Sequence, residues 1–268
     1  MQTTMTDAPA SYLNQATSGA GAMKKIVVLG ATSGIALEVQ RQLAGRRCEL
    51  LLVARSAERL TELQADLSIR GAQKVLAYAA DLSAVQHHAA IVDFVRRQFA
   101  DFDTVLLAYG SMQDQKNSEA SVDVMLEELR VNFVSACAIL SLFAADLEQR
   151  RTGCIAAITS VAGDRGRRSN YVYGSAKGAL SLFLQGLRSR LHPAGVRVIT
   201  IKPGPVQTAM TDRMANAARF ADTELVARDI VRALERRSPD VVYTPKMWRY
   251  VMTAVEHIPE VIFKRLAF

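Results

Sequence analysis

The residues of this chain best suited to chemistry are Ser160, Tyr173 and Lys177. Tyr173 and Lys177 stand four residues apart, which puts both side chains on one face of a helix. A ketone under reduction needs a proton for its oxygen, and a phenol of pKa ~10 exchanges protons poorly near neutrality. A lysine ammonium alongside favours the phenolate and is expected to pull the Tyr173 pKa down. Ser160 can hydrogen-bond the carbonyl oxygen and steady the alkoxide as it forms. Asn132, farther upstream, can relay protons through a bound water. A Tyr-x-x-x-Lys pair alone is more often a helix surface pair, so the weight rests on what accompanies it.

What accompanies it is a place for a dinucleotide. The stretch Gly30-Ala31-Thr32-Ser33-Gly34-Ile35-Ala36 follows a short apolar run and precedes an amphipathic one. Glycines there let the backbone approach a pyrophosphate, and the helix N-terminus offers free N–H groups and a positive dipole end. Thr32 and Ser33 add hydroxyl donors, and Ala36 stands where close helix–strand packing needs a small residue. A plain tight turn is the competing reading. After the second apolar run come Ala54 and Arg55, where a site for NAD usually carries a carboxylate for the ribose hydroxyl. A guanidinium suits a 2′-phosphate, so NADPH is the expected cofactor and NADH the second choice; a solvated strand-end arginine is the alternative. Asp81 and Leu82 are placed to reach the adenine.

These groups need a scaffold. Short apolar runs at 26–29, 49–54, 75–79, 104–108, 154–159 and 196–201 alternate with helical patterns at 35–43, 57–68, 84–99, 121–147 and 173–191. Strands without polar alternation are buried on both faces, which predicts a parallel sheet between helix layers. Right-handed crossovers then give an α/β, Rossmann-type, doubly wound sheet in a single domain. A late strand is expected at 240–243. The expected layout is a disordered leader over 1–22, a dinucleotide-binding domain over 23–243, and a basic amphipathic tail over 244–268 packed on the domain or a membrane.

Composition narrows the class. The chain has 268 residues, 50% of them hydrophobic, with a formal charge of +7; that is globular composition able to bury a core. The charge is spread along the chain without aromatic interleaving, so a nucleic-acid role is not expected. Cys48, Cys137 and Cys154 are odd in number and lie in apolar or helical runs, which fits buried free thiols in a reducing compartment. No Cys/His spacing resembles a zinc site, so no metal is expected, and His87 and His88 read as surface residues. No run of about eighteen apolar residues predicts a transmembrane helix. A cytoplasmic protein, with peripheral contact at the inner face of the membrane as an option, is the expectation.

The glycine turn, Asp81, Asn132, Ser160, Tyr173, Lys177 and Pro203-Gly204 occur in the order found in the short-chain dehydrogenase/reductase family, which residues 24–210 resemble. The resemblance implies that Ser160, Tyr173 and Lys177 form a catalytic triad with Asn132 as fourth member. It implies that Pro203, Gly204, Val206 and Thr208 line the nicotinamide, and that Lys177 also holds its ribose. Family members are often homo-oligomers. Two departures stand out: Leu107-Ala108-Tyr109-Gly110 replaces an Asn-Asn-Ala-Gly motif that braces the sheet, and Leu29 replaces a threonine.

Within the family, residues 163–177, Pro203-Gly204-Pro205-Val206-Gln207-Thr208 and the tail from Arg249 to Leu266 resemble the decaprenylphosphoryl-2-keto-ribose reductases. That resemblance implies a lipid-linked keto-pentose as substrate, a partner oxidase subunit and a role in cell wall biogenesis. Arg165, Arg167 and Arg168, in the loop between Ser160 and Tyr173, can clamp a phosphate on such a sugar; a solvated basic loop is the competing view. The tail interleaves Trp248, Tyr250, Met252, Ile258, Val261, Ile262, Phe263 and Phe268 with Lys246, Arg249, Lys264 and Arg265. That pattern suits a helix lying on an anionic bilayer, and equally core or subunit packing. The runner-up functions are reduction of another carbonyl, a 3-oxoacyl thioester or a free keto sugar, and a non-catalytic dinucleotide-binding scaffold.

Overall fold

In a computed structural model, residues 25–212, 217–235 and 239–266 are described; the expected leader and Phe268 lie outside them. Seven strands form one parallel sheet: β1 (Lys25–Leu29), β2 (Glu49–Ala54), β3 (Lys74–Ala79), β4 (Thr104–Leu107), β5 (Cys154–Ile158), β6 (Arg197–Pro203) and β7 (Val241–Thr244). Their order is β3-β2-β1-β4-β5-β6-β7. The order reverses between β1 and β4, and a crevice opens at the carboxyl ends of the strands there. The late strand is real, displaced by one residue from the expected span.

Helices cover both faces: α1 (Gly34–Ala44), α2 (Ala57–Ile69), α3 (His88–Gln98), α4 (Gln115–Ala120), α5 (Val122–Leu129), α6 (Ala136–Arg150), α7 (Tyr171–Leu191), α8 (Thr223–Glu235), α9 (Met247–Glu256) and α10 (Glu260–Phe263). Neighbouring strand residues feed opposite layers, as strand pleating requires. Ile26 and Val28 pack with Val39 and Leu43 of α1 and Ile230 of α8, whereas Val27 and Leu29 pack with Ile91 of α3, Phe143 of α6 and Leu184 of α7. β3, at the sheet edge, is only half-buried, so the two-sided burial expected of every strand fails there.

The long helix expected over 121–147 is present as one continuous helical run, Val122–Arg150, with a π-helical turn inside it. Ser121 ends α4 and caps α5 through its hydroxyl, and a π-helical turn, Arg130–Ser135, joins α5 to α6. The span Val122–Arg150 is long and apolar enough to cross a bilayer by length and composition; here Ile139, Leu140, Phe143 and Leu147 lie in the core. The reading of His88 as a surface residue is corrected. It is 1% exposed, and its Nε2 lies 2.8 Å from the Leu82 carbonyl, because the apolar face of α3 turns it inward.

The lost asparagine brace is replaced by a tyrosine. The Tyr109 hydroxyl is 2.7 Å from Ser135 Oγ, and Ser135 in turn donates to the Leu82 carbonyl. None of the three cysteines forms a disulfide among the described residues, and burial pushes all three thiols up, Cys137 to about 12. A thiol in that range stays protonated and unreactive.

Candidate active site

Asn132, Ser160, Tyr173 and Lys177 come from three elements and meet at the carboxyl ends of β4 and β5. Ser160 follows β5 in extended conformation, and its Oγ accepts from the Ala162 amide at 3.1 Å. The same hydroxyl faces the Tyr173 phenol, where it favours the ionised form. One turn along α7, Lys177 Nζ lies 5.8 Å from the Tyr173 ring centre and donates to the Ile158 carbonyl at 3.2 Å. Lys177 is 4% exposed.

The expected electrostatic effect of Lys177 on Tyr173 is overturned. Burial pushes the phenol up to about 12, against a hydrogen bond from Ser160 that lowers it, and the Glu128 charge adds to the rise. Burial also pulls Lys177 down to about 8, partly offset by the same Glu128 carboxylate. The expectation weighed charge alone; in a site this enclosed, removing water from the ionised forms outweighs the neighbouring charge.

Asn132 sits in the π-helical turn, a device often found at functional sites. Its Nδ2 donates to the Ser111 and Glu128 carbonyls at 2.9 and 3.1 Å, and its Oδ1 accepts from the Ser111 amide at 3.2 Å. Gly110, the last residue of the altered motif after β4, makes this assembly sterically feasible. A side-chain carbon there would lie 2.5 Å from Asn132 Oδ1 and 3.1 Å from Lys177 Nζ. Gly110 and Glu128 are the two site residues that the sequence reading missed.

At the other end of the crevice, Gly30 has φ +88°, and a side-chain carbon on it would lie 2.6 Å from Tyr109 Cβ. Only glycine fits both demands. The N-terminus of α1 carries no acidic residue in its first turn, so its dipole is free to face an anion. Ser33 Oγ is buried there without a hydrogen-bond partner. An unpaired buried hydroxyl beside exposed helix N–H groups fits a phosphate acceptor. Thr32 and Ile35 flank it half-buried. Thr208 closes over this turn, its methyl 3.0 Å from where a side-chain carbon on Gly34 would stand.

Arg55 and Asp81 line one cavity of about 450 Å³ with Tyr78, Ala80 and His87. Burial alone would raise the Asp81 carboxyl, but hydrogen bonds from Ser83 and the charges of Arg55 and Arg130 hold it below its usual range. Leu82 does not share that cavity: its side chain belongs to the core, and its carbonyl is taken by His88 and Ser135.

Pro203 ends β6, and Gly204 donates to the Thr244 carbonyl at 3.0 Å. A side-chain carbon on Gly204 would run into the Trp248 indole, so α9 packs directly on the expected nicotinamide wall. Val206 is buried and bridges to Ala221.

The arginine loop is not the single clamp expected. Arg165 donates to the Val255 and Ile258 carbonyls at 2.5 and 2.6 Å, pairs with Glu260 at 3.1 Å and stacks 3.8 Å from the Phe263 ring centre. It holds the tail. Arg167 reaches Met252 Sδ at 3.3 Å, and its Nε is buried without a partner. Arg168 is exposed. Among the described residues no cluster suits a metal ion.

The short chain dehydrogenase family profile matches residues 24–219. An uncharacterized oxidoreductase of Mycobacterium tuberculosis is 32% identical over 241 residues, 90% of this chain and 96% of that protein. A short chain dehydrogenase from Burkholderia cenocepacia in complex with NADP superposes with a TM-score of 0.78 at 20% identity, over 92% of this chain and 99% of that one. L-Sorbose reductase from Gluconobacter frateurii, complexed with NADPH and L-sorbose, superposes at 0.73 and 23% identity, over 82% and 94%.

Proposed function

The chain belongs to the short-chain dehydrogenase family, and from that premise we propose that it is an NADPH-dependent reductase converting a ketone to a secondary alcohol. The observation that carries this reading is the enclosed Ser160–Tyr173–Lys177 group beside a phosphate-ready glycine turn. When bound, the reduced nicotinamide supplies hydride to the carbonyl carbon. Ser160 orients the carbonyl oxygen, and Tyr173 delivers its phenolic proton to that oxygen. A phenol pushed up to about 12 remains protonated at neutral pH, which is the state a proton donor needs. Lys177, as ammonium, balances the phenolate that results, and Asn132 positions a water for its reprotonation. Thr32, Ser33 and Gly34 hold the pyrophosphate, Arg55 the 2′-phosphate and Asp81 the adenine amino group. Pro203, Gly204, Val206 and Thr208 border the nicotinamide. NADH is the weaker cofactor in this reading.

For the substrate we propose a phosphorylated keto-pentose, lipid-linked as in the decaprenylphosphoryl-2-keto-ribose reductases. The support is Arg167. Burial pulls its guanidinium down, its Nε has no partner, and a substrate phosphate would satisfy it. Exposed Arg168 stands beside it. Exposed Met247, Tyr250, Val261 and Ile262, with exposed Lys246, Arg249, Lys264 and Arg265, suit a peripheral stay on the cytoplasmic face of an anionic membrane. Exposed Val122, Leu126, Val134, Leu142 and Leu182 offer α5 to α7 a second copy of the chain. A partner oxidase subunit would supply the ketone by oxidising the corresponding alcohol.

The test follows NADPH absorbance with a free keto sugar, a 3-oxoacyl thioester, a keto-pentose phosphate and its polyprenyl-linked form. Turnover confined to the phosphorylated ketones, lost selectively in R167A, is expected. No turnover with any ketone would overturn the reductase reading, and equal turnover with and without phosphate would overturn the substrate.

A further inference from the structure

Two glutamates stand side by side before Asn132, and the fold treats them oppositely. Glu127 is exposed and pairs with Arg130 at 2.7 Å. Glu128 is 1% exposed and turns into the proton-transfer group. Its Oε1 accepts from Asn132 Nδ2 at 3.0 Å, and its Oε2 accepts from Ser111 Oγ at 2.8 Å and from the Gln113 amide at 3.3 Å. Burying a carboxylate this completely is costly unless its charge and lone pairs are answered. Three donors answer the lone pairs. The Lys177 charge across the site also favours the ionised carboxyl, although burial outweighs these partners and pushes Glu128 above the usual carboxylate range.

We propose, resting on the reductase reading above, that Glu128 is a positioning residue for proton transfer: it fixes the Asn132 amide and serves as the buried counter-charge of Lys177. The amide can present only one oxygen. With its two N–H groups shared among Glu128 Oε1 and the Ser111 and Glu128 carbonyls, Oδ1 is turned toward Ser111 and the Gly110 gap, the gap that Lys177 Nζ also borders. Lys177 donates to the Ile158 carbonyl and lies over the Tyr173 ring. Among the described residues, Glu128 is the charged group that favours the Lys177 ammonium, and Tyr173 is the neighbouring titratable group on α7. Without the carboxylate, burial would drive Lys177 toward the neutral amine, which cannot balance a phenolate.

The test uses the full-length protein labelled with 13C at lysine Cε, with K177M assigning the Lys177 signal, and follows its titration in wild type, E128Q and E128M. E128Q keeps an oxygen for Asn132, removes the charge and puts an NH2 in place of the oxygen that accepts from Ser111 and the Gln113 amide. The Lys177 midpoint is expected about one pH unit lower in E128Q, with kcat down about threefold at pH 7.5 and KM little changed. E128M also removes the side-chain acceptor of the Asn132 amide, which keeps its carbonyl partners, and its kcat is expected to fall further than in E128Q, with NADPH affinity by fluorescence titration unchanged. A Lys177 midpoint that stays in place in E128Q overturns the counter-charge, whether or not any ketone turns over. An E128M kcat equal to that of E128Q overturns the positioning of Asn132. Absence of turnover in wild type would strike the reductase reading, while the titration still decides Glu128.

Discussion

The indole of Trp248 rests directly on Gly204, so a helix from the end of the chain forms part of the wall next to the expected nicotinamide position. Any side chain at Gly204 displaces that indole. Replacement of Gly204 by alanine is expected to cost about 1–3 kcal/mol through overpacking, read as a lower melting temperature. W248A removes the wall and leaves the proton-transfer group intact, so KM for ketones should rise at least tenfold with kcat less affected. An unchanged KM would separate α9 from the substrate pocket.

Removal of the proposed proton donor is the sharpest test of the chemistry. Y173F is expected to lower kcat by roughly 10²–10⁴ while NADPH binding, followed by fluorescence, stays within twofold. Intact turnover in Y173F would end the assignment of Tyr173 as donor.

The pH dependence follows from Lys177. Its ammonium is pulled down to about 8 by burial, and the protonated form is the active one in the proposed mechanism. Reductase kcat should therefore be flat below that value and fall as pH rises through it. Tyr173, at about 12, stays protonated throughout and adds no break. A rate that climbs between pH 7 and 9 would contradict this.

Cofactor choice rests on Arg55. A charged hydrogen bond of about 1.5–3 kcal/mol corresponds to a tenfold or greater preference, so R55E should lower kcat/KM for NADPH at least tenfold and leave NADH nearly unaffected. An unchanged ratio would make Arg55 a solvated strand-end residue.

Arg165 fastens the tail to the loop before Tyr173. In R165A the Val255 and Ile258 carbonyls and Glu260 lose their donor, at a cost of about 1.5–3 kcal/mol. The melting temperature should fall, and limited proteolysis should cut first after residue 244. A wild-type digestion pattern would show that the tail is held by its apolar contacts alone.

The sequence by itself determined what depends on chain spacing. Apolar runs without alternation dictated a two-sided parallel sheet, Gly30 and Gly34 marked the tight turn before α1, and the four-residue step aligned Tyr173 with Lys177. Each is a local rule of backbone geometry, and each is visible in consecutive letters. Burial is not local, and it was decided by packing. Glu127 and Glu128 are the same letter twice, yet one faces water and the other Asn132, because a π-helical turn and the α5–α7 contact choose between them. His88 looked like its neighbour His87 until α3 turned it inward. Arg165 was one of three similar loop arginines, and only the returning tail, some ninety residues later, selected it. The Tyr173 pKa moved opposite to the charge argument for the same reason: spacing places an ammionium nearby, but only the closed tertiary structure removes the water that would have let its charge win.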